Sequence, residues 1–214
     1  MNEDINIINT NTKNYKIKNF IINNKKKLII FLSTIILIFF GYFILGEIKQ
    51  KKKINLAKIY NISKINFNKS NTTNVKNEMI KIIKEKDKTY SPLALNFIID
   101  NNISISDSEI NELFDILINE VNFEKEIKNL IIYKKALYNS DFESENNLLE
   151  ILKPIINSES IWKSHALYLM AEYFFSKNEK IKAREFFEDI IILKNSNPII
   201  KSEAQKRINR DFSE

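Results

Sequence analysis

The chain is 214 residues long, enough for one domain with an appendage, and its 2 glycines and 3 prolines exclude a fold built on tight turns, hairpins or bulges. The absence of cysteine excludes disulfides, thiolate metal sites, a cysteine nucleophile and a lipoprotein acylation site, while leaving the compartment open. The net charge of +6 arises largely from lysine runs beside one apolar segment, which points to membrane flanks rather than to nucleic acid. Isoleucine, lysine and asparagine are over-used throughout, as an AT-rich coding bias would produce, so a single Asn or Lys carries little functional signal.

Residues 1–27 form a polar, asparagine-rich tail for which no structure is expected. Residues 28–48 read as a transmembrane helix. From Leu28 to Leu45 the run LIIFLSTIILIFFGYFIL is uncharged, with Leu28, Ile36, Phe40 and Leu45 among its anchoring residues. About 20 residues at 1.5 Å each span the hydrocarbon core, and a soluble core helix of this length would show a polar face. A cleaved signal peptide is the alternative. The run is longer than a usual signal core, and no small-x-small cleavage site follows it. Gly41 and Gly46 stand five apart, outside the GxxxG spacing of helix dimers. Lys25, Lys26 and Lys27 on one side balance Lys49, Lys51, Lys52 and Lys53 on the other, so lysine bias leaves the orientation open. The Lys49–Lys53 stretch is suited to anionic lipid head groups, and equally to a plain solvated flank.

Residues 49–74 read as a juxtamembrane helix and linker. Leu56, Ile59, Tyr60 and Phe67 carry a helix onward, and the polar run from Ser70 to Asn74 breaks it. Residues 75–214 read as a helical domain. Met79, Ile80, Ile82 and Ile83 mark one helix. Ser91-Pro92 predicts a helix start, with Ser91 as N-cap and Pro92 at the first helical position. Ser106 with Glu109, and Ser140 with Glu143, fit capping boxes ahead of apolar runs, and Asn197-Pro198 opens the last helix. Strand-like alternation is not sustained anywhere, so the fold is all-α.

The helices fall into pairs with a period near that of the tetratricopeptide repeat, about 34 residues. Between Ile161 and Asn197, the residues Leu167, Ala171, Phe174, Ala183 and Phe187 match that pattern. Its two small residues, here Ala171 and Ala183, let antiparallel helices approach closely. Moving back 35 residues places Ala171 on Ala136, Ala183 on Leu148 and Phe187 on Leu152, a degenerate earlier unit. The predicted architecture is one N-terminal transmembrane helix followed by a tetratricopeptide-like right-handed helical-repeat solenoid, whose stacked units present a broad binding face.

Groups for chemistry are sparse. His165 is the single histidine and, with Trp162, is read as a packing residue. The carboxylates Glu109, Glu112, Asp115, Glu143, Glu145, Glu185, Glu188 and Asp189 read as solvated helix faces beside lysines. There is no glycine-rich phosphate loop, HExxH or serine elbow. We therefore expect no enzyme activity, no catalytic residues, no cofactor, no metal and no small-molecule substrate.

The order of tail, anchor and degenerate helix pairs resembles the bacterial tetratricopeptide-repeat-like inner-membrane family that includes the ancillary subunit of the Sec translocon. Tyr90-Ser-Pro-Leu-Ala-Leu is similar to that family's helix start. Ser160-Ile-Trp-Lys-Ser-His-Ala, Ala171 and Lys182-Ala-Arg-Glu-Phe-Phe187 resemble its short alphaproteobacterial form. The resemblance implies an inner-membrane, single-pass protein with a cytoplasmic N-terminus and a periplasmic helical domain. It also implies protein partners, namely Sec channel subunits, periplasmic chaperones or exported clients. A membrane-tethered scaffold for another envelope process, such as division or wall synthesis, is the alternative.

Overall fold

The computed structural model describes residues 15–67 and 71–212, and all regular structure among them is helical. The chain divides into two compact units, Met1–Asn55 and Leu56–Glu214.

In the first unit, residues 15–23 are helical up to a turn at Asn24, where no structure was expected. The spacing of Ile17, Phe20 and Ile21 supports that turn of helix against the weak propensity of the surrounding asparagines. Residues 1–14 of the tail lie outside the described residues. Helix α1, Lys25–Ile65, follows. Its most apolar 18-residue window has a mean hydropathy of 2.8 with nothing buried, and among the described residues it is the one helix long and apolar enough to cross a membrane. The hydroxyls of Ser33 and Thr34 donate back to the Ile30 carbonyl at 2.8 and 2.9 Å. Their polar atoms are thus satisfied within the helix, as a hydrocarbon surrounding requires. Residues 1–55 hold ten lysines against three acidic residues, so the charge of the chain resides here.

The second unit begins within α1, which is continuous through the lysine run to Ile65. Leu56 and Ser63, seven apart, are buried, and Tyr60 lies edge-on to Phe97 at 6.3 Å. The break is shorter than expected, because α2 already starts at Thr72; residues 68–70 of it lie outside the described residues. The remaining helices are α2 Thr72–Lys84, α3 Tyr90–Asp100, α4 Asp107–Glu120, α5 Lys125–Asn139, α6 Glu145–Ile156, α7 Lys163–Ser176, α8 Lys180–Ile192 and α9 Pro198–Asp211. Every substantial packing between helices joins elements one or two apart in the chain.

Three apolar clusters follow in chain order. The first gathers Met79, Ile82, Ile98, Ile110 and Leu117, and reaches Ile131. The second starts at the next residue, Ile132, and joins Ala136, Leu148, Leu152, Met170 and Phe174. The third holds Leu167, Ala171, Phe187, Ile190 and Ala204. Helices α5, α7 and α8 therefore contribute to two clusters each, α8 through Ala183 in the second and Phe187 and Ile190 in the third. This is why α7, with Ala166, Met170 and Phe174 on one side and Leu167 and Ala171 on the other, is apolar nearly all round. Each large side chain so buried contributes about 1.5–3 kcal/mol.

Two of the expected helix starts are corrected. The N-cap of α3 is Thr89, and Ser91 lies inside the helix with its buried hydroxyl donating to the Ile82 carbonyl at 2.9 Å. The Asp87 carboxylate accepts the Thr89 and Tyr90 N–H groups instead, each at 2.8 Å. Ser140 likewise caps the end of α5, and Ser144 accepts the Asn147 N–H at the start of α6. Ser106 and Asn197 do cap α4 and α9, with Pro198 in the first turn of α9. The left-handed positions that follow helix ends fall to Lys86, Asn102 and Asn178, since both glycines lie in α1.

Candidate functional site

The second unit carries an apolar groove of about 340 Å3 between α3, α4 and α5. Its floor is the outer edge of the first cluster, formed by Leu95, Phe114, Leu117 and Ile131. Leu93 on α3 and Ile127 on α5 rise from the sides and remain 40% and 45% exposed. On α5 the residues Ile127, Leu130, Ile131 and Lys134 follow the i, i+3, i+4, i+7 spacing of one helix face, which brings them all to the groove.

Two lysines stand at the groove, Lys88 from the α2–α3 turn and Lys134 from α5. Lys134 donates to the Asn96 side chain at 3.0 Å, and neither lysine has a carboxylate partner among the described residues. Acids close by in the chain are already engaged. Asp87 caps α3, Asp115 pairs with Lys135 at 2.7 Å, and Glu120 pairs with Lys86 at 2.6 Å. The walls are fixed by polar links between α4 and α5. The Asn111 and Asn139 amides bond reciprocally at 2.9 Å, and the Tyr138 hydroxyl donates to Asp107 at 2.6 Å. Burial, together with that bond, pushes the Tyr138 phenol up to about 12.

A second polar centre lies where α5 meets the start of α7. The Glu126 carboxylate accepts from the Ser160 hydroxyl at 2.7 Å and the Ile161 N–H at 3.2 Å, while the Glu126 carbonyl accepts from Trp162 Nε1 at 3.1 Å. Trp162 stacks on Tyr133 at 6.0 Å, and His165 sits against both rings, 5.1 Å from Trp162 and 5.9 Å from Tyr133. Burial lowers the His165 pKa, and the nearby Ile161 carbonyl offsets part of the shift although Nδ1 makes no hydrogen bond of proper geometry. Further along, Lys182 lies between Glu145 and Glu179 at 2.8 and 2.9 Å and 4.8 Å from the Phe174 ring, and these bonds raise it to about 12.

The residues predicted to pack the repeat are all buried. Leu167, Ala171 and Phe187 share the third cluster, and Phe174 and Ala183 share the second. Leu28, Ile36, Phe40 and Leu45 are exposed on α1. Of the carboxylates read as solvated, Glu112, Asp115, Glu185, Glu188 and Asp189 are exposed, while Glu109, Glu143 and Glu145 are half-buried. No group of three His, Asp or Glu residues suited to a metal ion occurs among the described residues. The groove residues Leu93, Ile127, Lys88 and Lys134, and the organising role of Glu126, escaped the sequence reading. The helical spacing from Ile127 to Lys134 was the signal for the groove. Compared with known families, characterised proteins and solved structures, the chain matches none.

Proposed function

We propose that this chain is a non-enzymatic, membrane-anchored protein-interaction module. Its α1 helix crosses the bacterial inner membrane once, and its helical domain is a degenerate tetratricopeptide-like right-handed solenoid on the periplasmic side, ancillary to the Sec translocon. The observation that carries this reading is the open apolar groove between α3, α4 and α5, on a domain joined to a helix of membrane-spanning length and apolarity. Such a groove, with few polar groups converging on it, suits binding better than catalysis. His165, the one histidine, is held among aromatic rings.

The repeat reading is supported by register. Ala136, Ala171 and Ala204 are each fully buried at intervals of 35 and 33 residues. Equivalent helix starts are tied by hydrogen bonds of similar span, Glu126 to Ser160 and Asn197 to Ser164. The experiment is a pair of topology reporters fused after Glu214, followed by photocrosslinking from the domain surface in native membranes. A periplasmic reporter signal with crosslinks to channel subunits is expected. A cytoplasmic signal removes the export role, and partners confined to division or wall-synthesis machinery replace it with an envelope scaffold.

A further inference from the structure

We propose that the α3–α4–α5 groove binds a peptide segment in which large apolar side chains alternate with carboxylates. This rests on the interaction-module reading and names the chemistry of the partner. The volume of about 340 Å3 falls within the range of natural ligand clefts and admits a few large apolar side chains. The floor of Leu95, Phe114, Leu117 and Ile131 supplies the apolar contact, and the half-exposed Leu93 and Ile127 gain most from being covered.

Charge selects among apolar partners. Lys88 and Lys134 stand beside this floor with no carboxylate partner among the described residues, while Asp87, Asp115, Glu120 and Glu126 are held by other partners. A carboxylate beside the apolar anchors would give the half-buried Lys134 and the exposed Lys88 a counter-charge, and a basic segment would meet two like charges there. A fatty acid shares this chemistry in one molecule, an apolar chain ending in a carboxylate. The lysines come from two sides, Lys88 from the α2–α3 turn and Lys134 from α5, so the groove fits repeated acids along a chain better than one terminal head group.

The test uses the full-length chain in nanodiscs of zwitterionic lipid and three labelled 12-residue peptides. These alternate leucine or isoleucine with glutamate, with glutamine, or with lysine, and binding is read by fluorescence anisotropy. The glutamate peptide should bind tightest. The double variant Lys88→Glu/Lys134→Glu should weaken it about tenfold and shift preference to the lysine peptide. Leu93→Ser with Ile127→Ser should weaken all three, and the exposure of these residues keeps the fold intact, as a thermal melt will verify. Equal binding of the three peptides, no binding at millimolar concentration, or indifference to both double variants overturns the proposal. Binding of oleate with no peptide binding assigns the groove to a fatty acid and also overturns it. Photocrosslinkers placed at Ile127 and at Ile181, outside the groove, separate the two levels. Protein crosslinks from Ile181 alone remove the groove assignment and leave the module reading, and none from either position removes the module reading too.

Discussion

Ala171 is fully buried in a cluster with Leu167, Phe187, Ile190 and Ala204, at a point where α7 meets its neighbours and side-chain volume is tightly limited. Replacing it with leucine should cost about 1–3 kcal/mol through overpacking. Phe187→Ala should cost about 3–5 kcal/mol through lost burial and a cavity. Both are measurable by chemical denaturation followed by far-UV circular dichroism. His165 gives a pH signature. Its folded pKa lies below the ordinary 6.5, so below that pH the unfolded chain takes up the proton more readily than the folded one. Its contribution to stability is therefore fully present above about 6.5 and declines as the pH falls towards the folded value. His165→Gln should flatten the decrease in melting temperature between neutral and mildly acidic pH; an unchanged slope sinks the assignment. At this scale the sequence was informative about the core, because Ala171, Ala183 and Phe187 follow a spacing that only close helix packing requires. It said nothing of Glu126, whose role depends on the Ser160–Trp162 turn folding back onto it across more than thirty residues.

Among the helices, the cap of α6 falls to Ser144, where the sequence pointed to Ser140. Ser140 and Ser144 each precede a plausible partner three residues on, Glu143 and Asn147, but only Ser144 accepts the N–H of its partner. Ser144→Ala should destabilise the domain by about 1 kcal/mol and Ser140→Ala by less than about 0.5 kcal/mol, compared by equilibrium unfolding. The reverse order would relocate the start of α6. Pro92 misled in a related way. Proline is tolerated throughout the first turn, where backbone N–H groups have no intrahelical partner, so it marks the turn without fixing the first residue. The groove was hidden for a different reason. A helix face such as Ile127 to Lys134 is readable from its period, whereas whether α3 and α4 cover that face or part to leave it open depends on how three helices meet.

For the whole molecule, the two units differ in what holds them in place. The exposed apolar stretch of α1, with Ile36 and Phe40 at its centre, is long and apolar enough to cross a membrane, while the helices from α2 onward bury their own cores. Ile36→Arg with Phe40→Arg should cost about 5–7 kcal/mol of insertion free energy, from about 2.5–3.5 kcal/mol per arginine. The double variant should then be released by alkaline carbonate extraction where the natural chain is retained. Retention of the variant would remove the anchor assignment. The locality of the helix packing has a temporal consequence as well. Since every substantial contact joins helices one or two apart, a helix emerging from the ribosome meets its partners within the next few dozen residues. The helices nearest α1 can settle before Pro198–Asp211 has been synthesised, so the domain is suited to assembly in chain order.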